Sequence, residues 1–173
     1  MESAAPRPRP PAVDPRLYRD AVGRFPTGVT VVTTRLDGRD HGMTVSSFTS
    51  VSLDPVLVLV SIEHAARLHD VILAAGRWAV SVLAAHQEEV SRLFARRGRP
   101  EAEVFAAVAH IRGPLTGAAL IDGALATIEC RTAAAYPGGD HTILLGEVLG
   151  LGVGDPGASP LVYHRGEYRG TDW

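Results

Sequence analysis

The chain has 173 residues, of which 46% are hydrophobic and 21% charged, and its formal net charge is −2. These values predict one globular domain over residues 14–173 and give no electrostatic reason to bind nucleic acid or an anionic membrane. No apolar run reaches the roughly 20 residues that span a bilayer, and the proline-rich residues 1–13 lack the apolar core of a secretion signal. We therefore expect a disordered lead over residues 1–13 and a cytoplasmic protein.

Two residue types are missing from the chain, and their absence excludes several chemistries. Lysine and asparagine do not occur, and Cys130 is the only cysteine. The missing lysine excludes a Schiff-base nucleophile, a lysine anchor for pyridoxal phosphate and the lysine of a Walker A loop. A single cysteine excludes a disulfide within the chain and a thiolate zinc site. Any redox chemistry must then come from a bound cofactor or metal.

The first part of the chain predicts one helix followed by strands. Asp14 is a typical N-cap, a proline follows it at the first helical position, and Gly23 ends the helix. Three strands are then predicted. The first covers residues 29–34, the second follows a turn at residues 37–38 and leads through Met43, and the third covers residues 56–62. The third strand is apolar nearly throughout, which is typical of a strand covered on both faces.

The rest of the chain predicts two more helices among further strands. The helices lie at residues 68–75, ended by Gly76, and at residues 87–96. The strands lie at residues 78–83, 125–134, 141–153 and 161–164, with a turn at residues 136–140 and a polar C-terminus. Because closely spaced strands outnumber the helices, the pattern favours a mainly β fold with flanking helices, closed as a β-barrel, over a doubly wound sheet.

Hydroxyl-bearing residues are concentrated just before the third strand, at positions 44, 46, 47, 49 and 50. Such a segment carries many hydrogen-bonding groups but no charge. It can follow the edge of a planar polar heterocycle, and a flavin ring suits it better than a metal or a nucleic acid does. The alternative is a pair of strands whose solvent face carries Ser and Thr.

Two further patterns bear on dinucleotide and metal sites. Residues 152–157 match G-x-G-x-x-G, but a dinucleotide fingerprint requires a following helix, and Pro156 inside the motif favours a turn. The seven histidines form neither an H-x-H pair nor an H-x-x-x-H pair with a glutamate between, so we expect scattered surface residues and no metal. A mononuclear site assembled from distant strands is the alternative.

His141 and Arg67 are the charged candidates for binding a ligand. His141 follows a glycine turn and can donate to an amide or phosphate; the alternative is a simple hairpin corner. Arg67 and His69 begin a helix, where helix N–H groups and an arginine can bind a phosphate; the alternative is a solvated first turn. A second group of arginines, at positions 92, 96, 97 and 99, is interpreted as mostly a solvated helix end; the alternative is that one of them reaches a cofactor phosphate. Trp78 and Phe94 are expected in the core.

Three segments, in this order along the chain, resemble the flavin reductases of two-component flavin monooxygenases. They are residues 25–33, residues 42–52 with Asp54-Pro55, and residues 139–141 followed after an apolar strand by residues 160–166. The resemblance covers about residues 15–170. It implies an FMN-binding split β-barrel of Greek-key type that forms a homodimer and binds FMN or FAD together with NADH or NADPH.

The resemblance also implies a site. The residues along the flavin ring would be Thr44, Val45, Ser46 and Ser47, with Thr27 and Thr30 nearby. The residues at the phosphate would be Ser61, Ala65 and Arg67. Three more residues would lie close to the cofactors: Phe94, Tyr163 and Arg165. His141 would be the catalytic residue that orients the nicotinamide. The chain departs from the family pattern in two places: Ser46 stands where many relatives have Asn, and residues 63–67 lack the hydroxyls often found around the phosphate.

The predicted function is an NAD(P)H:flavin oxidoreductase that passes hydride from NADH or NADPH to FMN or FAD and supplies reduced flavin to a separate monooxygenase. No side chain needs to act as a nucleophile, in keeping with the absence of lysine. Two alternatives use the same fold. One is a flavin-binding sensor or carrier without reductase activity, and the other is a flavin-independent, metal-assisted biosynthetic enzyme.

Overall fold

The helices and strands follow from a computed structural model that describes residues 13–98 and 100–170. The helices are α1 (Pro15–Val22), α2 (Arg67–Ala75), α3 (Glu88–Ala95, preceded by a 3₁₀ turn at Ala85–Gln87) and α4 (Glu101–Ala107). The first six strands are β1 (Thr27–Gly28), β2 (Thr30–Leu36), β3 (Arg39–Val45), β4 (Thr49–Leu53), β5 (Val56–Glu63) and β6 (Arg77–Val82). The others are β7 (His110–Arg112), β8 (Ala119–Ile121), β9 (Ala126–Gly138), β10 (His141–Val153), β11 (Leu161–His164) and β12 (Glu167–Gly170). The predicted lead lies outside the described residues except for Val13.

An antiparallel sheet of seven strands, in the order β3-β2-β6-β9-β10-β5-β4, dominates the structure. Strands β1, β11 and β12 form a second sheet, and β7 pairs with β8. The prediction of a mainly β fold with flanking helices is confirmed. Within the described ranges no backbone ladder joins the two edge strands, β3 and β4, which are connected along the chain by residues 46–48.

Both faces of strand β2 are buried, because helices cover the sheet on its two sides. Val32 is fully buried in one cluster with Trp78 and with Ile72 of α2. Val31, the next residue on the opposite face, is fully buried in another cluster with Phe94 of α3. A strand alternates its side chains between faces, so this double burial places α2 and α3 on opposite sides of the sheet.

The structure corrects two of the strand predictions. Strand β5 is not covered on both faces: Val58, Val60 and Ile62 are buried, whereas the alternate residues are only partly covered. The turn predicted at residues 136–140 is only two residues long, because β9 continues to Gly138 and pairs there with His141. The G-x-G-x-x-G segment ends β10 and enters a turn, as predicted.

Several short elements were not predicted from the sequence, among them β1, α4, β7, β8 and β12. The first helix, by contrast, is confirmed. The Asp14 carboxylate accepts a hydrogen bond from the N–H of Arg16 at 2.7 Å. No residue of α1 is buried, and Leu17 and Val22 are 67% and 46% exposed. The apolar residues of this helix are therefore uncovered in a single chain.

Candidate functional site

A cavity of about 450 Å³ lies where three parts of the chain meet. Its walls are the second half of β3, the turn that leads from β5 into α2, and the segment that joins α3 to α4. Three of the predicted cofactor-binding residues that line it come from the first two walls: Thr44, Ala65 and Arg67. Phe94, which we expected in the core and among the cofactor contacts, is 6% exposed and also lines the cavity.

Glycine at position 42 allows the aromatic side of this cavity to form. A Cβ atom on Gly42 would lie 3.0 Å from Cε1 of Phe94 and 3.2 Å from Cζ of Phe105. The two rings meet edge to face, with their centroids 5.2 Å apart, an arrangement favoured by the ring quadrupoles. The cavity therefore has an apolar, aromatic side against which a flat ring can pack.

The rim of the cavity is charged. Three arginines line it, Arg67, Arg96 and Arg97, together with two glutamates. Glu63 Oε2 accepts a hydrogen bond from Arg97 Nη2 at 2.9 Å, and Glu101 Oε2 lies 2.7 Å from Nδ1 of His41. With three arginines against two glutamates, the lining carries a net positive charge, which favours an anionic ligand in this cavity.

The start of α2 adds backbone donors to this rim. Ala66 is the N-cap residue and supplies no side-chain acceptor to the first turn. The first N–H groups of a helix lack partners within the helix, and its N-terminus carries a partial positive charge. With Arg67 as the first helical residue, this turn offers donors of the kind that a phosphate accepts. Ser61 lies on β5 before this turn and does not line the cavity.

The hydroxyls predicted to face a flavin ring are mostly used within the protein. Thr30 donates its hydroxyl hydrogen bond to the Val45 carbonyl at 2.7 Å, and Thr44 donates to the Ser91 carbonyl at 2.6 Å. The Ser47 hydroxyl accepts from the Ser61 N–H at 2.9 Å and donates to the Ser61 carbonyl at 3.2 Å. These bonds fix the end of β3 and the loop after it against its neighbours.

A ligand at this segment would therefore meet different groups from those we expected. The main chain of residues 46–48 lies outside the strands, and the side chain of Ser46 is exposed. Val45 is 5% exposed and belongs to the core. The structure thus leaves Ser46 and the backbone of this loop as the polar contacts, while Thr30, Thr44 and Ser47 hold the loop in place.

Thr27 stands out because its hydroxyl is buried without a hydrogen-bond partner, alone in this respect among the side chains that the structure describes. It lies in β1, directly opposite Tyr163 of β11. An unsatisfied buried hydroxyl costs about 1–3 kcal/mol. Thr27 therefore fits a position at which a ligand or a second protein chain supplies the missing partner.

His141 is placed next to the cavity by the sheet. It begins β10 and pairs across the ladder with Glu63, which lines the cavity. Its side chain is 40% exposed, and Nδ1 lies 2.7 Å from Oδ1 of Asp140. The hydrogen bond from His141, together with its charge, lowers the pKa of Asp140. Gly139, with a φ of 76°, makes the two-residue turn possible.

Tyr163 and Arg165 lie apart from the main cavity. Tyr163 lines a shallower depression with Arg92 and Tyr168, and the Arg92 guanidinium lies 4.8 Å above the Tyr168 ring. Arg96 borders both depressions. Arg165 adopts a positive φ of 53°, and its N–H donates to the Gly23 carbonyl, so its backbone shapes the end of β11.

The histidines make more specific contacts than we expected. His69 and His41 are 13% and 17% exposed in their side chains, and both bond to other side chains. Over residues 13–98 and 100–170, no group of three or more His, Cys, Asp or Glu side chains is arranged to hold a metal ion. Burial first, and then the charge of Glu129, raise the pKa of Cys130 to about 12, which keeps this thiol protonated and unreactive.

Sequence comparison decides the family. The family described as flavin reductase like domain matches residues 22–172. The chain belongs to this family. Two relatives illustrate its range: an NADH-dependent FMN reductase, AsuE2, of Streptomyces nodosus subsp. asukaensis is 43% identical over 87% of this chain and 82% of its own. The reductase component of a 4-hydroxyphenylacetate 3-monooxygenase from Thermus thermophilus is 40% identical over 90% of this chain and 96% of its own.

Structural comparison agrees with this family. The NADH:FAD oxidoreductase SgcE6 of Streptomyces globisporus, solved in complex with NAD and FAD fragments, superposes with a TM-score of 0.85 at 42% identity, over 92% of this chain and 96% of that one. The predicted membership of the flavin reductases is therefore confirmed. None of the helices in the described part of the chain is long and apolar enough to cross a membrane.

Proposed function

We propose that the protein is an NADH:flavin oxidoreductase that reduces FMN or FAD and supplies the reduced flavin to a separate monooxygenase. Family membership over residues 22–172 supports the reaction, and the named activities of the relatives support the cofactors and the partner. The observation that carries the proposal in the structure is the cavity itself. An aromatic side, an arginine-rich rim and a helix N-terminus meet there, and the strand that begins with His141 runs alongside.

The residues of the cavity fit a flavin nucleotide. Phe94 and the backbone of residues 42–44 offer a flat surface to the ring, and the first turn of α2 with Arg67 offers donors to the phosphate. The unsatisfied Thr27 hydroxyl and the exposed Ser46, neither of which lines the cavity, are the other polar groups of the predicted cofactor site. The flavin supplies the hydride acceptor when bound, and the chain binds and orients the two reactants.

His141 is proposed to orient the nicotinamide. Its side chain is partly exposed beside the cavity, and the bond from Nδ1 to Asp140 leaves Nε2 for a ligand. No side chain has to form a covalent intermediate. The role of His141 is therefore to hold the nicotinamide amide so that the hydride donor faces the flavin.

Oxidation of NADH, followed by its absorbance with FMN, with FAD and without flavin, tests the reaction. Consumption that depends on added or bound flavin is the expected result. Bound flavin that NADH does not bleach in stopped-flow experiments would favour the sensor or carrier. A colourless protein with stoichiometric metal and no flavin dependence would favour the metal-assisted enzyme.

We also propose that the fold is a split β-barrel and that two chains form a homodimer. Apolar residues at the hairpin between β4 and β5 are exposed: Leu53 by 87%, Val51 by 47% and Val56 by 46%. The outer face of β5 and the apolar face of α1 are also incompletely covered. Exposed apolar surface of this kind is typical of an interface.

Light scattering coupled to size-exclusion chromatography tests the dimer. The expected mass is twice that of the 18.3 kDa chain. Leu53→Glu places a charge in the proposed interface and should shift the mass towards the monomer. A monomeric wild-type protein at micromolar concentration would contradict the proposal.

A further inference from the structure

His69 makes a contact that neither the cavity nor the family resemblance explains. It lies in the first turn of α2, two residues after Arg67, and its Nε2 is 2.8 Å from the hydroxyl oxygen of Thr142 in β10. Its Nδ1 is 2.7 Å from Oδ1 of Asp70. Only 13% of the side chain is exposed, whereas Asp70 is 95% exposed. A carboxylate can only accept, so Nδ1 donates to Asp70, and the other ring nitrogen, Nε2, pairs with the Thr142 hydroxyl.

One main-chain hydrogen bond joins the same two parts of the chain, and a ring contact lies within the first of them. The N–H of His64 donates to the Asp140 carbonyl at 2.9 Å. The rings of His64 and His69 meet edge to face with their centroids 4.9 Å apart. The turn before α2 and the turn between β9 and β10 are therefore bonded to each other by main chain and side chains, in addition to the ladder between β5 and β10.

We propose that His69 is a positioning residue that connects the phosphate-binding turn before α2 to the nicotinamide-binding residue His141. Thr142 directly follows His141 in β10, and successive side chains of a strand point to opposite faces. Because Thr142 is held against α2 on one face of the sheet, the side chain of His141 is held on the other face. The inference rests on the proposed function, because it takes the positions of phosphate and nicotinamide from there.

The connection has a consequence that a purely structural contact does not have. A flavin phosphate bound at the first turn of α2 orders His69, and His69 in turn orders Thr142 and His141. NADH should then bind more tightly when the flavin carries a phosphate. Coupling between two binding sites is reciprocal. The nicotinamide nucleotide should therefore tighten the binding of FMN more than that of riboflavin.

Two substitutions of His69 separate its two hydrogen bonds. His69→Gln places an amide nitrogen near the position of Nε2 and keeps a partner for Thr142. His69→Asn places its amide near the position of Nδ1 and keeps only the contact to Asp70. We expect His69→Asn to raise the KM for NADH about fivefold with a smaller change in kcat, the size of one lost hydrogen bond. His69→Gln should restore most of this loss.

An equilibrium measurement gives a readout that does not depend on turnover. In the wild-type protein, calorimetric titration with NAD⁺ should show tighter binding in the presence of FMN than of riboflavin. In His69→Asn the two affinities should become equal. Thr142→Val removes the hydroxyl partner of His69 and should give the same result. It also provides the test if a His69 variant does not fold.

The outcomes distinguish this inference from the proposed function. If the Asn and Gln variants behave alike, or if NAD⁺ binding distinguishes FMN from riboflavin as strongly in His69→Asn as in the wild type, the positioning role is overturned although the enzyme remains a flavin reductase. If the wild-type protein oxidises no NADH with any flavin, the proposed function itself fails. Equal effects of His69→Asn and Thr142→Val, without further loss in the double variant, would establish that the two residues act through one bond.

Discussion

Gly146→Ala should destabilise the protein even though glycine-to-alanine changes in a strand usually have the opposite effect. Gly146 lies in β10 beside a bulge, opposite Thr132 of β9. A Cβ atom built on it overlaps the six-membered ring of Trp78, 2.8 Å from Cη2, and lies 3.1 Å from Cβ of Cys130. Trp78 and Cys130 are both fully buried, so neither can move away into solvent.

The expected size of the effect follows from these contacts. Where the backbone allows it, replacing glycine by alanine stabilises by about 0.4–1 kcal/mol, because the unfolded chain loses freedom. Overpacking a filled core costs about 1–3 kcal/mol. Trp78 is also held by a 3.1 Å hydrogen bond from Nε1 to the Thr132 hydroxyl, and moving the ring would strain this bond. We expect a net loss of about 2 kcal/mol and a fall in Tm of roughly 4–8 °C for a chain of this size.

Urea denaturation monitored by tryptophan fluorescence and circular dichroism measures this loss. Gly28→Ala is the matched control, since Gly28 also lies in a strand, is exposed, and leaves a new Cβ with no other atom within 4 Å. The control should be neutral or slightly stabilising. Equal stabilities of the two variants would refute the reasoning, because they would show that Trp78 has room to yield.

Three further predictions concern ligand binding and pH. Arg67→Ala should weaken FMN about tenfold and riboflavin much less, since only FMN carries a phosphate. His141→Ala should raise the KM for NADH several-fold with less effect on flavin affinity, which steady-state kinetics and flavin titration can separate. Burial raises the pKa of Asp40, but the hydrogen bond and charge of Arg112 and the charge of Arg35 outweigh it and lower the pKa. Asp40 therefore stabilises the fold above its unfolded pKa of about 3.9, and Asp40→Asn should cost stability at neutral pH but not at acid pH.

Each of these predictions has an outcome that would contradict it. Equal losses of FMN and riboflavin would remove Arg67 from the phosphate site. An unchanged dependence on NADH would remove His141 from the nicotinamide site. The prediction for Asp40 is contradicted if the free energy of unfolding depends on pH in the same way in Asp40→Asn and in the wild type. That result would show that the bonds to Arg35 at 3.2 Å and to Arg112 at 3.0 Å do not persist in solution.

Elements with strong local signals could be predicted from the sequence, and those held by tertiary contacts could not. Asp14 and Gly76 mark helix ends through bonds to their own helices. Helix α4 was missed because it follows Pro100 closely and only Val104 and Phe105 among its residues are buried. Strand β12 is short and polar, and it exists because β11 supplies its hydrogen-bond partners.

The pattern of Ser and Thr at positions 44–50 correctly indicates one wall of the cavity, since Thr44 lines it. The pattern does not indicate the direction in which each hydroxyl points. Whether a hydroxyl faces a ligand depends on partners far along the chain. The partner of Thr44 is 47 residues away and that of Ser47 is 14 residues away. Periodicity and spacing carry no information about such contacts. The bond between His69 and Thr142 spans 73 residues and was missed for the same reason.

The ion pair between Arg97 and Glu63 bears on how long a flavin stays bound. It joins two walls of the cavity, but the side chains of Arg97 and Glu63 are 86% and 36% exposed. An exposed pair of this kind contributes about 0–1 kcal/mol, so thermal motion opens it readily. Arg97 is therefore held only weakly to the turn before α2, which suits the proposed release of reduced flavin to another enzyme. Flavin dissociation should accordingly be fast and should quicken only slightly when salt screens this pair.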